Sequence, residues 1–258
     1  MISAIALRDV GKIFVRDDSD AVEVLEHVDL EIAAGSFVTL VGRSGCGKST
    51  LLNIVAGLIV PSSGTIAFAG EPPAYPRPDV GYLTQKDTLL PWRDVLRNVA
   101  LPLELRGVEK AAREKRAREL LALVGLAHAE RRYPRELSGG MQRRASLARM
   151  LASDPRILLL DEPFGALDAQ LRAELQHELL RLWSGSGKTV VFVTHDIDEA
   201  LVLADRVVVL QGGGRVAADV EVAFARPRDA RSVRTAPDFV ALHERLLEAL
   251  GASAGAAA

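Results

Sequence analysis

The sequence predicts an α/β protein with a mainly parallel sheet, an antiparallel β subdomain and an inserted helical subdomain. A glycine-rich segment at residues 42–49 follows an apolar, strand-like run and precedes a helix-like run, which is the order of a strand–loop–helix unit. Residues 157–160 and 190–193 are continuous apolar runs, as expected of parallel strands that are covered on both faces. Alanine, arginine, glutamate and leucine recur at helical spacing over residues 108–125, which favours a helical insertion before these strands.

The first part of the chain supplies the antiparallel subdomain and the first parallel strand. Residues 5–10 and 28–32 are predicted as two short strands, and residues 37–41 as the buried strand that enters the glycine-rich segment. A further strand at residues 66–69 is followed by a loop marked by four prolines.

The last part of the chain alternates helices and strands. Leucines at helical spacing predict an amphipathic helix over residues 171–182, and a second helix is expected over residues 197–204. Residues 207–217 resemble a closing β-hairpin with three consecutive glycines at its turn. From Phe224 the chain is rich in arginine and proline, and one short helix and a Gly/Ala/Ser tail, expected to be disordered, follow.

Domain organisation and composition place the chain among ordinary globular proteins. We expect one domain over residues 1–223, with the helical lobe inserted at about residues 86–155, and a short C-terminal extension over residues 224–258. A hydrophobic content of 48% and a charged content of 26% are typical of soluble domains. The net charge of −2 gives no polyanion-binding surface, which argues against a nucleic-acid partner.

Cysteine usage and the apolar runs limit the cellular context. The only cysteine, Cys46, excludes an intrachain disulfide and suits a reducing compartment. The N-terminus lacks the basic-then-apolar order of a signal peptide, and the apolar runs are too short to span a bilayer. We therefore expect a chain that is soluble by itself and that reaches a membrane only through a partner.

The glycine-rich segment has the spacing G-x-x-x-x-G-K-[ST] of a phosphate-binding loop. Its residues, with the one that follows, are Gly42, Arg43, Ser44, Gly45, Cys46, Gly47, Lys48, Ser49 and Thr50. Glycines allow backbone N–H groups to converge on an anion, and the N-terminus of the following helix adds its positive dipole. Lys48 supplies a charge for the β- and γ-phosphates and Ser49 a hydroxyl for Mg²⁺, so the segment predicts binding of a nucleoside triphosphate.

Two carboxylates follow the apolar run at residues 157–160. Ligands of open α/β sheets bind where the strands end, so Asp161 and Glu162 are expected at a ligand-binding edge. Asp161 suits a magnesium ion, held through water opposite Ser49, and Glu162 suits general-base activation of a water. The alternative is an exposed acidic turn after a strand.

A second anion-binding helix start is predicted at Ser138, Gly139 and Gly140. Ser138 can cap the helix that follows, and the two glycines leave its N–H groups accessible. Because one triphosphate does not need two such sites from one chain, the second suits a nucleotide held by another copy. The alternative is a plain capped helix.

Together these segments resemble the ATP-binding subunits of ABC transporters over nearly the whole chain, which implies a P-loop NTPase core and Mg²⁺-dependent ATP hydrolysis. The resemblance assigns Phe14 to adenine stacking, where tyrosine is more usual, and Gln85 to contact with Mg²⁺ or the attacking water. It assigns Asp168 to the loop that contacts the second subunit and His195 to sensing of the γ-phosphate.

The remaining motifs of the resemblance match those already described. Residues 42–49 correspond to Walker A, residues 157–162 to Walker B with its catalytic glutamate, and residues 138–142 to the signature sequence. In the signature, Met141 replaces the commonest glutamine, while Ser138 and the backbone N–H groups still provide the phosphate contacts. The other histidines are expected to be surface or packing residues: His27, His128, His177 and His243.

The resemblance also implies an assembly. Two ATP-binding subunits, here expected to be two copies, close head to tail around two ATP molecules, each held between Walker A of one and the signature of the other. A transmembrane permease is expected to contact the segment from Leu89 to Trp92, although packing within the helical lobe is an alternative. A periplasmic or surface solute-binding protein completes such systems, and the subunit lies peripherally on the cytoplasmic face of the inner membrane.

Residues 89–95 and 98–104 resemble importers of the nitrate/sulfonate/taurine group. Importers of thiamine-pyrimidine precursors share similar phrases, and exporter or lipid-extraction ATPases share every catalytic motif, so both remain alternatives. A ribosome- or DNA-acting ABC ATPase is disfavoured by the single Walker A loop, the neutral charge and the short insertion. A non-hydrolytic scaffold is disfavoured by Lys48, Glu162 and His195.

Overall fold

The computed structural model describes residues 3–15, 21–73, 77–86, 88–165, 167–228 and 230–251. The chain divides into two compact units, the first formed by residues 1–77 and 187–258 and the second by residues 78–186. The described residues form nine strands: β1 (Ser3–Val15), β2 (Ala21–Ala33), β3 (Phe37–Gly42), β4 (Ser63–Phe68), β5 (Val80–Leu83), β6 (Ile157–Asp161), β7 (Thr189–Thr194), β8 (Arg206–Leu210) and β9 (Val216–Glu221). They also form eight α-helices: α1 (Lys48–Val55), α2 (Val95–Leu105), α3 (Lys110–Leu123), α4 (Gly139–Ala152), α5 (Ala169–Trp183), α6 (Ile197–Leu203), α7 (Ala230–Arg234) and α8 (Pro237–Gly251).

The first unit contains the predicted antiparallel subdomain, a three-stranded sheet in the order β2-β1-β4. Strands β1 and β2 each run for 13 residues, longer than the two short strands that the sequence predicts. The difference has a local cause, because the register shifts between Leu7 and Val10, where Asp9 adopts a positive φ of 52°. Such a bulge breaks the alternation of apolar and polar residues while the strand continues beyond it to Val15.

Four further strands of this unit lie side by side in the order β7-β3-β8-β9. Strands β7, β3 and β8 are parallel, and β9 returns antiparallel to β8 as the closing hairpin that the sequence predicts. Every residue of β3 and β7 is buried, which explains their continuous apolar sequence. Val41 pairs with Thr194, so the glycine-rich segment and His195 leave neighbouring strands at the same edge.

The C-terminal extension contains α7 and α8 rather than the single short helix that was predicted. Arg228 anchors it, because this buried guanidinium donates to the carbonyl oxygen of Val222 at 2.9 Å and to that of Ala204 at the end of α6. Burial lowers the pKa of Arg228 to about 10. The predicted tail, residues 252–258, lies outside the described residues, as do residues 74–76 of the predicted proline loop.

The second unit contains the parallel pair β5 and β6 and the predicted helical insertion. Leu83 pairs with Leu160 near the carboxyl ends of the two strands. Helices α2, α3 and α4 contact one another and lie within the predicted lobe at residues 86–155, while α5 follows β6 and carries the predicted leucine stripe. The α/β class is therefore confirmed, whereas the domain boundary at residue 223 stays a prediction.

None of the helices in the described ranges is both long enough and apolar enough to cross a bilayer.

Candidate functional site

The glycine-rich loop connects the buried strand β3 to helix α1, as predicted. Gly47 precedes α1 with a φ of 100°, a conformation that side chains rarely adopt. A Cβ atom at Gly47 would also lie 2.6 Å from Leu25 Cδ2, and one at Gly42 would lie 2.5 Å from the carbonyl oxygen of Leu210. Both positions therefore require glycine, and no side chain caps the N-terminus of α1. The N–H groups of the helix start are directed to the loop, as a phosphate site requires.

Lys48 lies inside this loop with only 6% of its surface exposed. Its ammonium Nζ donates to the carbonyl oxygens of Gly42 at 2.7 Å and Arg43 at 2.9 Å, and it lies 3.8 Å from Cys46 Sγ. The Lys48 side chain thus folds back over the loop. An anion bound by the loop N–H groups can attract its ammonium away from these two carbonyl oxygens. Arg43, unlike Lys48, is exposed.

The other loop residues differ in accessibility. Ser44 and Gly45 are exposed, whereas Cys46 is buried and fills the space beside Gly42, which fits packing rather than redox chemistry. Ser49 and Thr50 are half-buried in the first turn of α1.

His195 is exposed immediately after β7 and is held in a tight connection to α6. The Thr194 hydroxyl accepts from the Asp196 N–H at 3.1 Å, and Asp196 Oδ1 accepts from the Glu199 N–H at 3.1 Å. The strand end and the capped helix together fix the backbone of His195. Because β3 and β7 are neighbours, this imidazole belongs to the same sheet edge as the glycine-rich loop.

Phe14 lies near the end of β1 with 38% of its surface exposed. The ammonium of Lys12 lies 5.1 Å from the centroid of its ring, a cation–π contact that orients the ring. Val15 and Val22 beside it are also exposed, so this end of the sheet offers an apolar surface to a planar ligand. The predicted adenine contact at Phe14 stays a prediction.

The second unit brings the predicted carboxylates and Gln85 together. Asp161 ends β6 with 2% of its surface exposed, and Gln85 Nε2 lies 3.5 Å from Glu162 Oε2. Glu162 adopts a φ of 45°, a conformation that costs a non-glycine residue about 1–3 kcal/mol. The pKa of Tyr82 is raised by burial and, to a smaller extent, by the negative charge of Asp161.

The signature segment forms the predicted capped helix start. Ser138 Oγ accepts from the Met141 N–H at 3.3 Å at the N-terminus of α4, and Gly139 has open space around it. A Cβ atom at Gly140 would lie 3.1 Å from Leu167 Cδ2, so the signature packs against the segment before α5. Asp168 caps α5 by accepting from the Leu171 N–H at 2.9 Å. Ala166 of the predicted subunit-contact loop lies outside the described residues.

Arg143 is a site residue that the sequence analysis missed. It is 4% exposed and donates to the backbone carbonyl oxygens of both Gln85 and Glu162. The sequence offers two adjacent arginines, Arg143 and Arg144, and no local pattern distinguishes the buried one from its half-buried neighbour.

The donor set suits magnesium rather than a softer metal. Ser49 in the first unit, and Gln85 and Asp161 in the second, each carry a hard oxygen atom of the kind that Mg²⁺ prefers. Within the described residues no cluster of three or more His, Cys, Asp or Glu side chains could hold a metal by itself. A bound nucleotide would have to supply the remaining ligands through its phosphates.

Comparison with known proteins agrees with this geometry. The family described as ABC transporter matches residues 25–165 of the chain. The chain is 46% identical to a taurine import ATP-binding protein, TauB, of Mesorhizobium japonicum, over 93% of this chain and 96% of that protein. It is 44% identical to a nitrate import ATP-binding protein, NrtC, of Synechococcus elongatus, over 95% of this chain but only 38% of that protein.

Among solved structures, the chain is similar to the dimeric post-hydrolysis state of the ATP-binding cassette MJ0796 bound to ADP and Pi. The TM-score is 0.78 at 33% sequence identity, and the match covers 86% of this chain and all of that one. The similarity extends over both units of the chain.

Proposed function

Because the chain belongs to the ABC transporter family and is an ATPase of that family, we propose that it energises import of a small solute through a separate transmembrane permease. Two local arrangements support this proposal: Lys48 is folded into its loop in the first unit, and Gln85 lies beside Glu162 in the second. These groups suit hydrolysis, which a passive scaffold would not need.

ATP binding falls to the first unit. The loop N–H groups and the start of α1 bind the phosphates, and Lys48 exchanges its two carbonyl acceptors for phosphate oxygens. Phe14 stacks on the adenine. Ser49, Asp161 and Gln85 would hold Mg²⁺, which would supply positive charge to offset that of the phosphates.

Hydrolysis then requires a water, a base and a contact for the leaving phosphoryl group. The water oxygen bonds to the γ-phosphorus as the bond to the bridging oxygen of ADP breaks, and Glu162 accepts the proton of the water. Gln85 Nε2 donates a hydrogen bond to the carboxylate of Glu162, and the Gln85 side chain orients the same water. His195 donates to the γ-phosphate, so the contact is lost when phosphate leaves.

The signature serves a second copy of the chain. Ser138, Gly139 and Gly140 present a capped helix start that suits the γ-phosphate of an ATP held by the partner subunit. Asp168 lies in the segment that would face this partner. Similarity to a dimeric cassette with bound ADP and Pi supports this arrangement. ATP then favours the closed dimer and ADP the open one.

The solute is proposed to belong to the nitrate/sulfonate/taurine group. Two relatives that match most of this chain are named for taurine and nitrate import. A solute-binding protein outside the membrane would deliver the solute, and the chain would act at the cytoplasmic face of the membrane.

Solute uptake tests the proposed direction and cargo. A strain lacking this gene should lose uptake of taurine, nitrate or a related anion, and wild-type chain should restore it while Lys48→Ala should not. Uptake is measured with labelled taurine, nitrate and a thiamine pyrimidine precursor. Restored uptake of the pyrimidine alone would favour the alternative importer, and unchanged uptake of all three with altered efflux would overturn import.

Trp92 is proposed as the anchor for the permease. It is 71% exposed, and the turn that carries it is held by side-chain hydrogen bonds. The buried Asn98 side chain accepts from the Leu90 N–H at 2.7 Å and donates to the carbonyl oxygens of Leu90 and Arg93. A preorganised exposed tryptophan is typical of interface hot spots. Asp87 of the predicted docking segment lies outside the described residues.

Trp92→Ala is expected to weaken permease binding by about 30-fold, the loss of roughly 2 kcal/mol at a hot spot. Basal ATPase of the isolated chain should stay within about twofold, since the side chain is solvent-exposed. Leu105→Ala, at a residue 79% exposed in α2, is the control for loss of surface apolar area. Equal losses of binding and basal ATPase in Trp92→Ala would contradict the docking role.

A further inference from the structure

We propose that Arg143 is a positioning residue that ties the catalytic segments of Gln85 and Glu162 to helix α4, so that the signature helix sets hydrolytic geometry. The inference rests on the proposed function, because it assumes that Gln85 and Glu162 act on the attacking water. It adds a mechanical link from the site for the partner's nucleotide to the chain's own catalytic groups.

The contacts of Arg143 are concentrated on the two catalytic segments. Its Nη2 donates to the carbonyl oxygens of Asp161 at 2.6 Å and Glu162 at 3.1 Å, and its Nε donates to that of Pro163 at 3.0 Å. On the other side, Nη1 donates to the carbonyl oxygen of Gln85 at 3.3 Å and to that of Thr84. One planar group therefore holds two separate stretches of backbone.

This bridge suits a guanidinium and no other side chain. Arginine presents its donors in a fixed planar fork, whereas a lysine ammonium is one point charge on a flexible stem. The site is buried, since only 4% of Arg143 is exposed, so water cannot replace a lost donor. Removing the guanidinium of Arg143 would leave these buried carbonyl oxygens without a hydrogen-bond donor. The two backbone segments would then no longer be held together.

We call the hydrogen bonds from Arg143 to the two catalytic segments the clamp. The backbone conformation of Glu162 explains why the clamp is needed. Glu162 has a positive φ of 45°, which a non-glycine residue adopts only when its surroundings impose it. Arg143 holds the carbonyl oxygens of Glu162 and of the residues on either side of it. The direction of the Glu162 carboxylate, and its 3.5 Å approach to Gln85, therefore depend on this arginine.

The position of Arg143 within α4 connects the clamp to the residues proposed to bind the partner's ATP. Helix α4 begins at Gly139 after the Ser138 cap, so Arg143 lies about one turn beyond the residues proposed to bind the partner's ATP. A rigid first turn moves as one body. The effect of nucleotide binding at Ser138 would therefore be transmitted through α4 and Arg143 to the backbone of Glu162 and Gln85.

The adjacent Arg144 provides a matched control. It belongs to the same helix and also donates to a backbone carbonyl oxygen, that of Val124 at 3.0 Å. Val124 follows α3 and carries no catalytic group. A substitution at Arg144 thus tests the loss of a helix-anchoring arginine without loss of the clamp.

Arg143→Lys and Arg143→Gln are compared with Arg144→Lys in steady-state ATPase assays and in binding of a fluorescent ATP analogue. We expect Arg143→Lys to lower kcat at least tenfold with analogue affinity within threefold, and to lower the Hill coefficient for ATP towards 1. Arg144→Lys should keep kcat within twofold. Added to Gln85→Ala, Arg143→Lys should lower kcat by much less than it does alone, since Arg143 acts by positioning Gln85 together with Glu162.

Three results would overturn the inference: normal kcat in Arg143→Lys, equal losses in Arg144→Lys, or full additivity with Gln85→Ala. Circular dichroism melting shows whether each variant is folded. If neither Arg143 variant folds, hydrogen exchange on the wild-type chain decides, because the segments beyond the paired strands, residues 84–86 and 162–165, should open together. Separate opening would contradict the clamp. Wild-type chain that hydrolyses no ATP even when assembled with its permease would instead refute the proposed function itself.

Discussion

Glu162→Gln is expected to lower ATP turnover by about 10²- to 10⁴-fold, the usual contribution of a general base. Glutamine has nearly the shape of glutamate, so the backbone conformation and the contact to Gln85 should persist while the proton acceptor is lost. ATP would then remain bound and the closed dimer would accumulate. Steady-state phosphate release and size-exclusion chromatography with light scattering, with and without Mg-ATP, measure the two effects.

The control for Glu162→Gln is Glu178→Gln. Glu178 lies on α5 and pairs with Arg181 at 2.8 Å near the protein surface, where such pairs contribute little. A dimer that forms with ATP and disappears with ADP would support both the base and the two-subunit arrangement. A monomer throughout would mean that the permease is required for closure or that Ser138 does not bind the partner's nucleotide. Turnover within tenfold of wild type would exclude Glu162 as the base.

Lys48→Ala is expected to weaken ATP binding by about 10²- to 10⁴-fold, since two charge-assisted contacts contribute roughly 1.5–3 kcal/mol each. The ammonium is held over the loop by the carbonyl oxygens of Gly42 and Arg43, at the place where an anion would meet it. ATPase should fall to background as a consequence. Isothermal titration calorimetry with ATP and with ADP measures the affinity directly.

The comparison for Lys48→Ala is Lys110→Ala. Lys110 is an exposed lysine at the start of α3, 3.9 Å from Glu114, and its loss should leave ATP affinity unchanged. Thermal melting of Lys48→Ala is needed as well, because the substitution also removes donors from the loop carbonyls. A folded Lys48→Ala protein with wild-type ATP affinity would show that the loop does not bind the triphosphate through this residue.

Features encoded by contiguous residues could be predicted from the sequence. The phosphate loop lies between β3 and α1, and Ser138 caps α4, because strand burial, glycine conformation and capping are each decided within a few residues. The position of the carboxylates at the end of β6 is likewise decided by residues that are neighbours along the chain. The family resemblance was confirmed for the same reason, since it rests on these segments.

Features that depend on distant contacts could not be predicted. Arg143 and Arg144 are chemically identical in the sequence, and only the packing of α4 against the catalytic segments buries the first. The positive φ of Glu162 has no signal in the residue type, which normally avoids it. Asp168 was assigned to a subunit contact from the resemblance, and its role as the cap of α5 emerged only with the backbone around it.

Because Glu162 has a left-handed backbone conformation, the substitution that would raise thermal stability at this position would also abolish catalytic turnover. Glycine adopts this conformation without the penalty that a glutamate incurs, so a glycine there would relieve about 1 kcal/mol of strain while removing the carboxylate. Directed evolution for heat resistance alone would accumulate inactive chains at this position. Activity must therefore be selected together with melting temperature when the protein is engineered.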